Sequence, residues 1–451
     1  MDYIITLRNF LWGRPLIYLI LACGLYYTIK LRFIQSEIKK SFAAIKRRGN
    51  NKGLSVFQSV CLTLSSSIGT GNIVGVATSI TLGGVGALFW MAISAFLGMA
   101  IKYAEAIVAV KYRVKKKGTT IGGPFYYITE AFKGRKCFSY IFAFAGVLSA
   151  LWGIGASIQA KSFVSAIDNI IKNQSKIILI NGNSMGVISF ILLLIICAIA
   201  GMVLSGGINR IGKVTSILMP IFAGAYILFT SVIIIVNIDK FPSAVYSILT
   251  SAFGINALGG GVAGYSITLA MQNGMARGIF SNEAGLGSSC MALAAVDDIN
   301  AKEAGYSNML GPFLDTLCIC MLTGLCIVIT GANTSGLDGI ELSALAFERG
   351  LNLPFGIGNT VVSLCLALFS FTTIIGWSYY GESCVRYLFG DKVINKYKCL
   401  YLISAILSPL ISAQILWLLA DIFNALMAIP NITALIILNK EIMNEHKKRA
   451  F

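Results

Sequence analysis

Apolar runs close to the ~20 residues that a helix needs to cross a bilayer recur along almost the whole chain. Eleven candidate spans lie near 14–33, 56–82, 86–111, 138–168, 185–205, 212–236, 257–297, 307–332, 355–388, 399–415 and 417–438. A chain of 451 residues built this way is 56% hydrophobic and only 12% charged. It leaves little room for a soluble domain, and the whole of 1–451 reads as one integral all-α membrane unit embedded in a lipid bilayer. No small-residue cleavage site follows residues 15–33, so that stretch is expected to remain as a membrane helix.

The net charge of +17 does not indicate nucleic-acid binding. Its basic residues sit in short loops between spans, where they report topology. With the N-terminus outside, the inside segments carry 27 Lys and Arg and the outside segments six, with three more within spans. That asymmetry predicts an outside N-terminus, a cytoplasmic C-terminus and an odd number of spans in the cell (plasma or inner) membrane. Most of the 11 cysteines lie inside apolar spans without CxxC pairing and read as packing residues. The only histidine, His446, lies in the polar tail, which argues against histidine catalysis and most transition-metal sites.

The second span is not a plain hydrocarbon-facing helix. It reads Leu64-Ser65-Ser66-Ser67-Ile68-Gly69-Thr70-Gly71-Asn72-Ile73-Val74-Gly75. Asn72 is costly against lipid, and Gly69 and Gly71 lack the Cβ that keeps a helix regular. A dinucleotide loop is a poor alternative, because the spacing is GxGxxxG and no strand precedes it. A close helix contact through Gly71 and Gly75 is compatible with a break. A loop between two short helices would disturb the charge asymmetry downstream. The seventh segment is too long for one crossing and holds Arg277 and Glu283 among Gln272–Ser288. It reads either as an inside loop joining two spans or as a second interrupted helix near Ser281-Asn282-Glu283.

The two breaks are five spans apart, an odd number, so two five-helix units would have opposite orientations. Interrupted first helices of inverted repeats mark the substrate site in one class of secondary transporters. Half-helix amides there suit a carboxylate, and free carbonyls suit a cation. The ninth span adds Thr372, Thr373 and Trp377. Threonine hydroxyls suit Na⁺, although back-bonding to their own helix is the plain alternative. For Trp377 the plain alternative is packing. Loop 112–136, with Gly122-Gly123-Pro124, is the most structured inside loop, and 239–256 suits a short interfacial helix.

At these positions the chain resembles the alanine/glycine:cation symporter family. The resemblance runs over nearly the whole chain. It includes Gly71-Asn72-Ile73-Val74-Gly75, Lys102-Tyr103-Ala104-Glu105, Arg277-Gly278-Ile279-Phe280-Ser281-Asn282-Glu283, Gly376-Trp377-Ser378-Tyr379-Tyr380-Gly381-Glu382 and Met427-Ala428-Ile429-Pro430-Asn431. It implies a LeuT-type 5+5 inverted repeat of about 11 transmembrane helices, with two interrupted helices and an extra N-terminal one. The extra helix would be 14–33, and the repeats 56–236 and 257–438. It further implies uptake of alanine or glycine, in either stereochemistry, driven by Na⁺.

By that resemblance, Thr70, Gly71 and Asn72 meet the substrate carboxylate and Gln159 reaches in from the fourth span. Phe280, Asn282 and Glu283 come from the second break. Thr373 and Trp377 close the pocket, with Trp377 limiting side-chain size. The carbonyls of Ser65, Ile68 and Phe369, with the hydroxyls of Thr372 and Thr373, hold Na⁺. The chain departs from the family pattern at Val85, Ala92, Ala156 and Lys161. Lys161 reads as a lysine snorkelling outward, or as a fixed cation that changes substrate or coupling ion, which leaves a proton-coupled or altered-specificity amino-acid transporter as the alternative. A channel is disfavoured because one asymmetric chain supplies no ring of pore-lining groups. An enzyme is disfavoured because Glu105, Glu283 and Glu382 have no nucleophile–base pair or metal cluster beside them. No obligate protein partner is indicated.

Overall fold

The computed structural model describes residues 2–11, 14–46, 53–116, 119–172, 175–178, 184–254, 260–354 and 356–448. It is helical almost throughout. Among the described residues, seven helices are long and apolar enough to cross a membrane, and nine segments qualify if each of two sharply bent pairs counts as one span. The count of eleven expected from the sequence is not reached by that measure. One reason is that Ile394–Leu407 is only 14 residues long and ends in a short turn at Ser408–Leu410, so the expected span 399–415 is shifted and shortened. The expected start of the seventh segment at 257 lies outside the described residues.

The helices sort by burial. The spanning windows of Val187–Ser205 and Gly207–Val236 are only 33% and 22% buried, while that of Ala87–Lys111 is 83% buried. Apolar helices with so little protein around them need hydrocarbon on their outer faces. The Ala87–Lys111 helix instead forms the centre, packed against Gly260–Asn282 and Ala301–Pro312. Gly274, Gly278 and Gly305 allow those approaches, since a Cβ at Gly278 would lie 2.1 Å from Ser94 Oγ.

Four centrally placed stretches depart from regular α-helix. The chain bends by 52° between Val56–Ser67 and Gly71–Gly83, and Gly71–Gly75 is a wide π turn. The expected span 138–168 is split into Cys137–Trp152 and Ser157–Ile170. The Gly260–Asn282 helix stops at Glu283, and Glu283, Gly285 and Gly287 all take positive φ before Cys290–Ala294 resumes. Phe313–Cys320 is a second π segment. Single π turns of this kind cluster at functional sites. The charge asymmetry and the boundaries of the two repeats remain sequence arguments.

Smaller elements complete the chain. The loop after Lys111 forms a short hairpin, Val114–Lys116 with Thr119–Ile121, and then the helix Pro124–Ala131. A short helix does occupy Phe241–Ala252. Two features were not expected: the amphipathic helix Asp2–Leu11, and Gly339–Leu351, which packs on the first broken helix.

Candidate functional site

The first break is held open by side chains that take the backbone donors. Ile68 N–H still reaches Leu64 O, at 2.8 Å. Gly69 N–H then donates to Asn72 Oδ1 at 2.8 Å, and Thr70 N–H donates to Gln159 Oε1 at 3.2 Å. Regular helix would send those two donors to the carbonyls of Ser65 and Ser66. The freed carbonyls face other helices: Ser66 O accepts from Trp377 Nε1 at 3.2 Å, and Ile68 O accepts from Thr373 Oγ1 at 3.0 Å. A side chain at Gly69 would displace the groups that hold the break, because its Cβ would lie 2.6 Å from Thr373 Oγ1 and 3.0 Å from Gln159 Oε1.

Gln159 joins this break to the split between Trp152 and Ser157. Its Oε1 also accepts from Thr70 Oγ1 at 2.8 Å, and its Nε2 donates to Ile154 O at 3.0 Å. Ile154 O is free because the helix widens there, with Ile158 N–H reaching back to Gly153 O at 3.3 Å. Thr70, Asn72, Gln159 and Thr373 are therefore buried in one polar patch around Gly69.

The second break is scaffolded from outside itself. Glu105 Oε1 accepts from the N–H groups of Gly285 and Gly287, at 3.0 and 3.1 Å, and from Asn431 Nδ2 at 2.8 Å. Asn431 Nδ2 also donates to Gly285 O, and Tyr127 OH donates to Asn431 Oδ1. Lys102, itself buried, donates to Ser289 Oγ at 2.7 Å. Glu283 accepts from Trp377 Nε1 at 2.8 Å and from Ser288 Oγ. Trp377 thus spans both breaks, from Ser66 O to Glu283. Asn282 Oδ1 accepts from Ala284 N–H, while its Nδ2 has no hydrogen-bond partner among the described residues.

The breaks touch directly: a Cβ at Gly71 would lie 3.4 Å from Ser281 Cα. Asp315, on the Phe313–Cys320 segment, binds both. Its Oδ1 accepts from Asn72 Nδ2 at 2.6 Å and its Oδ2 from Ser281 Oγ at 2.8 Å. Sequence reasoning treated Arg277 and Glu283 as informative because they are charges inside an apolar run, and the same rule applies to Asp315. Asn72, read as a carboxylate ligand, has its side chain occupied by Gly69 N–H and Asp315, so it faces this hub.

Of the residues assigned to Na⁺, the structure brings three together. Thr373 Oγ1 lies 3.0 Å from Ile68 O and 2.9 Å from Phe369 O. All three are neutral, hard oxygen atoms, the donor type that suits Na⁺. Thr372 Oγ1 back-bonds to Phe369 O at 2.9 Å. Ser65 Oγ back-bonds to Leu62 O, while its carbonyl is the one that Gly69 N–H leaves unserved.

Phe280 points away from this patch and packs on Trp417 with the rings tilted, centroids 4.7 Å apart, and the Arg277 guanidinium lies 4.5 Å above the Trp417 ring. Arg277 and Trp417 edge a cavity of about 570 Å³ that reaches Val74 and Gly75 beside the first break. A cavity of about 100 Å³ shares Val74 and Trp417 with it and is walled by Lys161. Lys161 Nζ donates to Pro409 O at 3.0 Å, satisfying a carbonyl at the end of a helix. The largest of the three cavities, about 780 Å³, lies farther out beside Asp168 and Glu348, away from the breaks.

Known proteins give the chain its family and fold. A profile described as the sodium:alanine symporter family matches residues 1–449. An uncharacterised transporter of Haemophilus influenzae is 41% identical over 98% of this chain and 94% of its own length. The sodium/alanine symporter AgcS of Methanococcus maripaludis is 36% identical over 98% and 95%. Among solved structures, MhsT in complex with L-phenylalanine superposes with a TM-score of 0.52 at 13% identity, covering 88% of this chain and 89% of that one. That likeness gives the fold, a LeuT-type transporter. The chain is a multi-pass membrane transporter and not an enzyme, and it belongs to the sodium:alanine symporter family.

Proposed function

We propose that this protein imports small neutral amino acids, alanine and glycine first among them, together with Na⁺. The observation that carries the reading is the direct packing of two mid-span helix breaks, Gly71 against Ser281, with neutral oxygens gathered at Thr373. Family membership supports cation-coupled amino-acid symport, and AgcS, named a sodium/alanine symporter, supports the choice of alanine.

In this reading the half-helix ends around Gly69–Gly71 hold the substrate carboxylate, where amides released from intrahelical pairing favour an anion. Thr70 and Gln159 orient that end, and Asn72 acts through its backbone and through its hold on Gly69. Glu283 and Asn282 line the opposite break, while Phe280 packs on Trp417 outside the patch. Trp377, fully buried and tied to Ser66 O and Glu283, limits side-chain size. The carbonyls of Ser65, Ile68 and Phe369 with the hydroxyls of Thr372 and Thr373 hold Na⁺. Because these oxygens belong to both the first broken helix and Ile357–Phe389, the ion favours the arrangement in which the two helices meet, and alternating access follows from rocking one group of helices against the other. The outside N-terminus and cytoplasmic C-terminus in the cell membrane belong to the same proposal.

The test is uptake of labelled glycine, D-alanine and L-alanine into proteoliposomes, each with a Na⁺ gradient or with a proton gradient alone. Accumulation of alanine or glycine against its gradient with Na⁺ is expected. Transport that ignores Na⁺ and follows protons would overturn the coupling ion, and no accumulation of any of the three would overturn the substrate class.

A further inference from the structure

The residue that ties the two breaks together is one that no motif singled out. Asp315 is fully buried and lies on the wide helical turn Phe313–Cys320. Oδ1 takes Asn72 Nδ2, while Oδ2 takes both Ser281 Oγ and, at 2.7 Å, Thr316 Oγ1. All three donors are neutral. A carboxylate inside a membrane protein is costly without a purpose or a partner, and here these donors occupy both of its oxygens.

We propose that Asp315 is a positioning residue for transport, which holds the two helix breaks in register through its hydrogen-bond geometry rather than through its charge. This rests on the transport reading above. The chain of contacts runs from Gly69 N–H to Asn72 Oδ1, from Asn72 Nδ2 to Asp315, and from Asp315 to Ser281. Without the Asp315 carboxylate, Asn72 Nδ2 loses its shortest contact and keeps only the backbone carbonyl at position 315, at 3.1 Å, and Cys320 Sγ, at 3.3 Å. Gly69 N–H is then able to return to Ser65 O, which closes the break toward regular helix and withdraws a carbonyl from the cation. Ser281 at the same time keeps only its contact with Cys320 Sγ at 3.3 Å, so both breaks loosen together.

Geometry and charge are separable here. In Asp315→Asn the side-chain oxygen still accepts from Asn72 Nδ2, and the amide donates to the Ser281 and Thr316 hydroxyls, which accept as readily as they donate. In Asp315→Ala every one of these links is gone. The experiment compares uptake kinetics of both variants and of Ser281→Ala in proteoliposomes, with hydrogen exchange of the purified proteins read by mass spectrometry. Asp315→Asn is expected to keep its KM within about threefold of the parent. Asp315→Ala should raise KM for amino acid and half-saturation for Na⁺ by roughly tenfold or more, the size set by losing the one of its three hydrogen bonds that holds Asn72. Its exchange should quicken at 69–72 and at 281–287 together, and not in Val187–Ser205. Ser281→Ala should loosen 281–287 more than 69–72.

An Asp315→Asn variant as impaired as Asp315→Ala would overturn the proposal, since charge would then be what matters. So would an Asp315→Ala variant with unchanged kinetics and exchange. If Asp315→Ala does not fold, the Asn variant and Ser281→Ala decide the question through the same two readouts. If the parent protein moves no amino acid, the transport reading falls, while the exchange comparison still tests whether Asp315 couples the breaks.

Discussion

Thr373→Val removes one hydroxyl and almost nothing else. Valine has nearly the same shape, so packing around the Ile357–Phe389 helix is kept. The lost atom is the donor that reaches Ile68 O at 3.0 Å, across to the first broken helix. Phe369 O keeps the Thr372 hydroxyl at 2.9 Å, but Ile68 O is left without its cross-helix donor. A buried carbonyl deprived of a partner costs about 1–3 kcal/mol. If the same hydroxyl is also a Na⁺ ligand, the loss appears in cation affinity, and 1–3 kcal/mol corresponds to roughly a 5- to 150-fold rise in half-saturation. The assay is Na⁺ activation of labelled alanine uptake in proteoliposomes, with thermal unfolding measured in parallel. Thr373→Ser, which keeps the hydroxyl, should stay close to the parent. A Thr373→Val protein that unfolds at a lower temperature yet keeps its Na⁺ half-saturation within about twofold would refute the assignment of Thr373 to the ion.

Four further outcomes follow from named contacts. Glu105→Gln should be tolerated, because its amide oxygen accepts the same three bonds, whereas Glu105→Ala leaves two N–H groups and Asn431 without their acceptor and should lower the unfolding temperature clearly, each loss costing about 1–3 kcal/mol. Gly69→Ala should abolish or strongly weaken uptake while the protein still purifies as a monodisperse species, because its methyl would press on Thr373 and Gln159. Lys161→Asn should leave substrate range and Na⁺ dependence unchanged in the same uptake assay, since the ammonium serves Pro409 O. In the polar tail, burial first, then Lys302, holds His446 below its ordinary pKa, and its ring meets Tyr103 OH at 2.9 Å. The folded protein therefore resists protonating it: docking of the tail is intact above about pH 6.5 and weakens as pH falls through that value. Limited proteolysis of residues 439–448 should speed up at acid pH, and His446→Phe should remove that dependence.

Much of this arrangement was legible because membrane depth makes polar residues conspicuous. Three serines, a threonine and an asparagine around Gly69 mark a break that no lipid-facing helix would contain. Glu283 marks the second for the same reason. Asp315 escaped notice although it obeys the same rule, since Leu314 and Leu317 beside it read as ordinary span, and its meaning lies in Asn72, 243 residues away. A π turn has no sequence mark of its own: it changes which face a side chain presents, not which side chain is there. The split at Trp152–Ser157 was missed because Gly153 and Gly155 also suit close helix packing. The Gly339–Leu351 helix was missed because, at 13 residues, it is too short to read as a span. Its Ser343 nevertheless donates to Ile73 O at 3.2 Å, serving another carbonyl of the first broken helix.

The irregular stretches are costly one by one and consistent as a set. Each leaves backbone groups that regular helix would have paired, and in a membrane those groups find no water. Here they are met almost wholly by side chains from other irregular or adjacent segments. Gln159 serves Thr70 and Ile154, Trp377 serves Ser66 and Glu283, and Glu105 serves Gly285 and Gly287. A contact that satisfies two breaks at once cannot be optimised for one without feeling the position of the other. Ligands that replace any of these partners therefore act on more than one helix. In the proposed reading, a carboxylate at Gly69–Gly71 would compete with Gln159 and Asn72 for the same donors, and a cation at Thr373 would take the acceptors that Thr373 now serves. Substrate and ion would then be linked through neighbouring backbone groups of one break, without need of direct contact between them, and the differential affinity that drives a population shift would have a physical carrier in those few hydrogen bonds.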